Sequence, residues 1–198
     1  MPTAIIDLPA RLDPPRKRWT RAECDELSSS GLFERQRLEL IEGELIDKMG
    51  KNRPHVISLT LLLGWLIEVF GLHLVNPEAP IDVAPEDNPS NEPEPDLIVL
   101  KRDQSDFTKE NPRPEDLQLV VEVSESTLGF DLTTKASLYA RAGIIEYWVL
   151  DITGRWMIVH RDPQAGRYIF VAAYGEDERV APLAAPDSFL RVRDVFPG

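Results

Sequence analysis

The segment Leu119-Val120-Val121-Glu122-Val123-Ser124 carries one carboxylate in an otherwise apolar, β-branched run. A two-residue strand period sends Leu119, Val121 and Val123 to one face and Val120, Glu122 and Ser124 to the other. An ionised carboxylate on a buried strand is costly without a cation, a hydrogen-bond network or a metal. Glu122 therefore either meets such a partner or stands at an exposed strand end. Asp96 opens the apolar run Leu97-Ile98-Val99-Leu100, directly after Pro95. Antiparallel pairing of these two segments sets the start of the first beside the end of the second, and so Asp96 near Glu122. Two carboxylates at one sheet end repel, which a shared proton or a divalent cation with oxygen ligands resolves. The other reading of Asp96 is a plain turn residue. Lys135, four residues after Asp131 on the helix expected next, is either half of a surface i,i+4 pair or a cation aimed at the carboxylates. In the second case it positions a water and stabilises the charge that grows on a phosphoryl group.

Several elements must hold these groups. Thr20 and Glu23 have capping-box spacing, which predicts a short helix from Arg21 to about Ser29, ending near Gly31. Leu38, Leu40 and Leu45 alternate around Glu42-Gly43-Glu44, as in a tight hairpin. Asn52 and Pro54 suit the start of a helix running to about Phe70, apolar on nearly every face and so packed on two sides or set in a subunit interface. Short strands are expected near Leu72 to Val75 and Ile81 to Val83. Lys101 to Glu115 reads as a long binding loop or lid. Asp131 is expected to cap a helix through Ala142, closed by Gly143. Ile144 to Asp151 is a further strand, and Gly154, Gly166 and Gly175 mark turns of a terminal antiparallel meander. The fold class is mixed α/β: a mixed sheet with helices on its faces and antiparallel hairpins at both ends of the chain.

The 198 residues contain one cysteine, Cys24, which excludes an internal disulfide framework. The first residues carry acids and prolines where a signal peptide needs an unbroken apolar run, and Val56 to Phe70 is short for a membrane span and contains Glu68. A cytoplasmic protein without a membrane segment is expected. The net charge of −12 argues against a surface that holds nucleic acid all over. Acidity peaks between Glu78 and Asp96, where seven carboxylates stand without a Lys or Arg, a solvated acidic loop or a cation-attracting rim. No glycine-rich phosphate loop, zinc-spaced cluster or serine-nucleophile elbow is present, so nucleotide kinases, zinc proteins and α/β-hydrolases fit poorly.

Pro95-Asp96, Glu122-Val123-Ser124 with Glu122 26 positions after Asp96, Asp131, Lys135 and the run Gly143-Ile144-Ile145-Glu146-Tyr147-Trp148-Val149-Leu150-Asp151 together resemble the Uma-type restriction endonuclease family of the PD-(D/E)XK nuclease superfamily. Leu38-Glu39-Leu40-Ile41-Glu42-Gly43-Glu44 resembles its first hairpin, and His55 the histidine opening its long helix. The resemblance implies a restriction-endonuclease-like domain over residues 20–198 behind a flexible N-terminal extension, residues 1–19. It implies Asp96 and Glu122 as ligands of magnesium or manganese, Lys135 as the third catalytic group, and DNA phosphodiester hydrolysis. The usual motif places lysine two residues after the acid, where Ser124 stands. The family brings that lysine from the following helix, the place Lys135 occupies. Glu39, His55 and Ser124 are accessory candidates, His55 being otherwise an ordinary first-turn helix residue.

Basic residues available to grip a nucleic-acid backbone are Lys101, Arg102, Lys109 and Arg113 in the long loop and Arg16, Lys17, Arg18 and Arg21 near the start. Two rivals to a DNA nuclease remain: an inactive interaction module on the same fold, and a phosphodiesterase acting on RNA or another nucleotide. A homodimer through the apolar helix is expected as an alternative to simple core packing.

Overall fold

The computed structural model describes residues 15–33, 36–48, 50 and 52–197. The expected N-terminal extension, residues 1–19, lies outside the described residues up to position 14. The Thr20 hydroxyl accepts from the Glu23 amide and the Glu23 carboxylate accepts from the Thr20 amide, a reciprocal cap that opens α1 (Arg21–Ser29). No residue of α1 is buried. The Arg21 guanidinium ties it down instead, donating to Asp82 at 2.7 Å and to the carbonyl of Asn91.

β1 (Leu38–Ile41) and β2 (Glu44–Asp47) form the expected hairpin. Its two turn residues, Glu42 and Gly43, have φ of 51° and 73°, the left-handed pair that matches strand twist. A Cβ at Gly43 would lie 3.0 Å from Arg18 Cβ, so the glycine also admits the incoming chain. α2 (Arg53–Phe70) starts where expected: the Asn52 side chain accepts from the His55 amide at 3.1 Å and Pro54 stands in the first turn. Only Ser58, Leu62 and Leu66, one stripe at helical spacing, are fully buried, while Val56 and Leu61 are 37% and 41% exposed. Within this chain α2 is thus packed on one side, not two. Among the described residues it is the one helix long and apolar enough to cross a membrane, by length and composition alone.

Both short strands expected after α2 are corrected. Residues 72–74 form a 3-10 turn, and the strand, β3, is Val75–Pro77. Ile81 and Val83 are buried with Asp82 between them, but they join no ladder. The amides of Ile81, Asp82 and Val83 donate to the Pro93 carbonyl, the Pro112 carbonyl and the Asn88 side chain respectively. Their alternation reports burial without strand pairing.

β4 (Leu97–Leu100), β5 (Leu117–Ser124), β6 (Glu146–Asp151), β7 (Trp156–Gln164) and β8 (Arg167–Gly175) follow β3 in one six-stranded sheet, adjacent in chain order. Every neighbouring pair is antiparallel except β5 and β6, which run parallel and are joined by a helical crossover. That crossover, α3, spans residues 128–141. It opens with the turn Leu128–Phe130, widens to a π-helical turn over Asp131–Lys135 and finishes as Ala136–Arg141. Asp131 is therefore not the helix cap expected of it but lies one turn inside. Gly143 closes the helix at φ 76°, as its position suggested. β9 (Arg179–Val180) and β10 (Leu190–Arg191) make a small terminal pair.

Two apolar layers flank the sheet. Leu62 and Leu66 of α2 pack with Val121, Trp148, Val159, Val192 and Phe196 on one face. Ala136, Leu138 and Tyr139 of α3 pack with Ile98, Val120, Tyr147 and Ile41 on the other. Glu122 shares the parity of Val120, so its side chain is on the α3 face.

The acidic run from Glu78 to Asp96 is neither a free loop nor a bare rim. Glu78 pairs with Arg37, Asp82 with Arg21, Asp87 with Arg141 and Glu94 with Lys48, so cations from several distant segments clamp it. The long connection after β4 is also tethered: Arg102 pairs with Asp116 at 3.1 Å and Lys101 donates to the Glu115 carbonyl. It joins the end of β4 to the start of β5, opposite the end where Asp96 and Glu122 stand. Lys101, Arg102, Lys109 and Arg113 therefore do not reach those acids.

Candidate active site

Leu97 faces Val121 across the β4–β5 ladder, and continuing this register by one pair sets Asp96 opposite Glu122. Asp96 Oδ2 accepts from the Val123 amide at 2.8 Å. Glu122 Oε1 accepts from Lys135 Nζ at 2.9 Å and from the Tyr139 hydroxyl at 3.0 Å. Lys135 also meets Glu39 Oε1 of the hairpin at 2.9 Å, and Glu39 Oε2 accepts from the Glu94 amide at 3.3 Å. Asp131 takes the hydroxyls of Ser124 and Thr127 at 2.5 and 2.7 Å. His55 Nε2 is buried without a hydrogen bond among the described residues and lies 3.7 Å from Asp96 Oδ1.

Local chain geometry explains this convergence. The β4–β5 register pairs the acids, and the parallel crossover lays α3 over the same sheet face. Asp131, Lys135 and Tyr139 follow at i, i+4 and i+8 and form one inward stripe. The wide turn between Asp131 and Lys135, where the Ala136 amide reaches the Asp131 carbonyl, belongs to the helix irregularities that recur at functional sites.

Glu39, Asp96, Glu122, Asp131 and Lys135 are all buried, so electrostatics inside the site is barely screened by water. Burial pushes the Glu122 carboxyl above the ordinary carboxylate range; Lys135 pulls it back, while Asp131, Asp96 and Glu39 push it up again. Burial likewise raises Asp131, against Lys135 and the two hydroxyls. Burial alone would discharge Lys135, but Glu122, Glu39 and Asp131 outweigh it and hold the ammonium charged. Among the described residues the Lys135 ammonium is shared by Glu39 and Glu122, and Asp131 adds to the negative field that keeps it charged.

These groups open into a cleft of about 350 Å³ that also takes in Lys48, Asn52, Glu125, Thr127 and Phe130. The donors suit a small hard cation: one carboxylate stands just before β4 and the other on β5, Asp96 Oδ2 accepting from the Val123 amide and Glu122 Oε1 from Lys135. Among the described residues no group of three or more His, Cys, Asp or Glu side chains has metal-holding geometry by itself. Magnesium commonly binds through one or two carboxylates and fills its remaining positions with water and phosphate, so this donor set fits it.

Of the residues singled out from sequence, Asp96, Glu122, Lys135, Glu39 and His55 all line this cleft. Ser124 does not: its side chain is fully buried and donates to Asp131. Sequence reasoning missed Tyr139 and the enclosed position of Asp131, although their spacing from Lys135 was the available signal. Near the start of the chain, Lys17 pairs with Glu23, Arg18 with Glu44 and Arg21 with Asp82, so those three cations are engaged within the fold.

Comparison with known proteins agrees with this architecture. A crystal structure described as that of "a putative nuclease belonging to DUF820" from Anabaena variabilis superposes with a TM-score of 0.63 and 16% sequence identity, over 81% of this chain and 90% of that one. No curated protein matches. At that identity the superposition speaks for the fold, a nuclease-type mixed sheet. The model of the Uma2 family, described as "Putative restriction endonuclease", matches residues 23–193, which include the whole six-stranded sheet and both helices that flank it, and the chain belongs to that family.

Proposed function

We propose that the protein is a metal-dependent endonuclease that hydrolyses DNA phosphodiester bonds, with Asp96, Glu122 and Lys135 as its catalytic groups. The observation that carries this reading is the meeting of two carboxylates and an ammonium in one cleft, with Lys135 Nζ 2.9 Å from Glu122. Asp96 and Glu122 hold magnesium or manganese, which when bound supplies Lewis acidity toward the phosphate and a more acidic water. Lys135 keeps its proton and faces the phosphoryl oxygen whose negative charge grows as the bond breaks. Glu39 steers the lysine by sharing its ammonium with Glu122 at 2.9 Å. His55 borders the cleft beside Asp96, where it can accept a hydrogen bond from a water or a substrate group. Ser124 acts indirectly by orienting Asp131.

Residues 20–198 are the catalytic domain in this reading, residues 1–19 an extension, and the cytoplasm the compartment. No membrane association is invoked. The exposed apolar side of α2, with Val56 and Leu61, supports a homodimer, which suits the cutting of both strands of a duplex. Sedimentation of the wild type as a dimer and of Leu61→Lys as a monomer is the expected outcome; a monomeric wild type removes the dimer. With a net charge of −12, DNA affinity is weak and falls steeply with salt.

The test is cleavage of plasmid DNA, single-stranded DNA and RNA at low salt with Mg²⁺ or Mn²⁺, for wild type, Asp96→Asn and Glu122→Gln. Metal-dependent DNA cleavage lost in both variants is expected. Cleavage of RNA alone moves the substrate, and no cleavage of any of them by folded wild type sinks the nuclease reading in favour of an interaction module.

A further inference from the structure

Tyr139 is fully buried one helical turn beyond Lys135, and its hydroxyl donates to Glu122 Oε1 at 3.0 Å. Lys135 donates to that same oxygen at 2.9 Å. The Tyr139 ring is fixed edge-on against Tyr147, with centroids 5.0 Å apart at 74°, and Tyr147 is itself tied to the Asp131 carbonyl at 3.1 Å. The phenol is therefore a rigid donor, fully buried and set against Tyr147.

The two donors on Glu122 Oε1 differ in kind. Lys135 is a flexible cation with a second claim on it, Glu39 at 2.9 Å, and it must turn toward phosphate if it is to stabilise charge there. When it turns, its hold on Glu122 loosens. Tyr139 has no such second task and stays in place. With Oε1 held by the phenol, Oε2 is the oxygen left for a ligand in the cleft that Glu122 lines.

We propose that Tyr139 is a positioning residue: its hydroxyl locks the Glu122 carboxylate in the orientation that presents Oε2 to a divalent cation, and keeps it there while Lys135 engages substrate. This rests on the reading of Asp96 and Glu122 as cation ligands. Outer partners of this kind orient ligating carboxylates, and their removal commonly weakens metal affinity about 10- to 100-fold.

The experiment is calorimetric titration of Mn²⁺ into the full chain as wild type, Tyr139→Phe and Asp96→Asn, with the electron paramagnetic resonance spectrum of bound Mn²⁺ recorded alongside. Thermal melting checks that each variant is folded, and Tyr139→Met replaces the Phe variant if that one does not melt cooperatively. The expected result is affinity lower by about 10- to 100-fold in Tyr139→Phe, with an altered Mn²⁺ spectrum, and no binding in Asp96→Asn. Equal affinity and spectrum in wild type and Tyr139→Phe, with loss in Asp96→Asn, overturns the role of Tyr139 alone. A wild type that binds no Mn²⁺, or an Asp96→Asn variant that binds it as well, overturns the cation site and this role with it.

Discussion

The Lys135 ammonium meets Glu122 Oε1 at 2.9 Å from 13 positions further along the chain, not from the strand that carries Glu122. The place two residues after Glu122 belongs to Ser124, whose hydroxyl is engaged by Asp131. If Lys135 is the charge-stabilising group, Lys135→Met lowers the phosphodiester cleavage rate by at least about 100-fold. Methionine keeps the stem but leaves Glu122 and Glu39 without their counter-charge, at a cost of about 3–5 kcal/mol in stability. Rates are therefore compared well below the melting temperature of the variant. A variant that is folded and cuts normally would assign the lysine a structural role only.

Ser124 tests the difference between a residue that touches substrate and one that braces the site. Ser124→Ala strips Asp131 of one of its two hydroxyl donors, and urea denaturation is expected to show a loss of about 1.5–3 kcal/mol. Mn²⁺ affinity stays within about twofold, because Ser124 lies outside the cleft and the cost falls on Asp131. A large drop in cleavage with stability intact would instead put Ser124 against the substrate.

Acid sensitivity has a specific source. His160 is 4% exposed and packed against Tyr147 and Tyr168, and burial lowers its pKa to about 4. Unfolded histidine titrates near 6.5. The unfolded chain thus takes up a proton that the folded chain refuses until about pH 4. The contribution of His160 to stability is complete above pH 6.5 and is lost as pH falls toward 4, by about 1.4 kcal/mol per pH unit. Urea midpoints at several pH values should show a shallower slope for His160→Gln than for wild type; parallel slopes refute the assignment.

Glu146 is fully buried at the start of β6 and is satisfied from three sides. Arg161 Nε and Trp148 Nε1 donate to its Oε1 at 2.7 and 2.9 Å, and the Leu183 amide donates to Oε2 at 2.7 Å. Arg161 reaches the Ala181 carbonyl as well, so the network pins the segment after β9 to the sheet. Glu146→Ala is expected to cost about 3–5 kcal/mol and to open that segment to protease before the sheet unfolds. Limited proteolysis followed by mass spectrometry locates the first cut. A first cut elsewhere, at wild-type rate, removes the pinning role.

The legible parts share a physical feature. The Thr20–Glu23 cap, the Asn52 cap, the Glu42-Gly43 turn and the alternation around Glu122 are decided within a few residues by capping and by the strand period. The nearness of Asp96 to Glu122 followed from one further assumption, antiparallel pairing, and the ladder has that register. Where reasoning failed, the pattern was right but the partner was wrong. Ile81 and Val83 alternate like a strand, yet their amides find a loop carbonyl and an asparagine side chain. Asp131 has a capping residue's identity but is enclosed by Ser124 and Thr127.

By itself the sequence determined which chemical groups are present, which strand face Glu122 occupies, and that Lys135 follows Asp131 by one turn on one helical stripe, though not that Tyr139 extends it. Only the tertiary structure decided that this stripe lands on Glu122, that Glu39 arrives from a separate hairpin to share Lys135, and that the acidic proline-rich run is clamped by distant arginines. Periodicity and capping depend on neighbours along the chain. Which donor meets which buried carboxylate depends on sheet register and on packing across two layers, and those are settled only when the whole core closes.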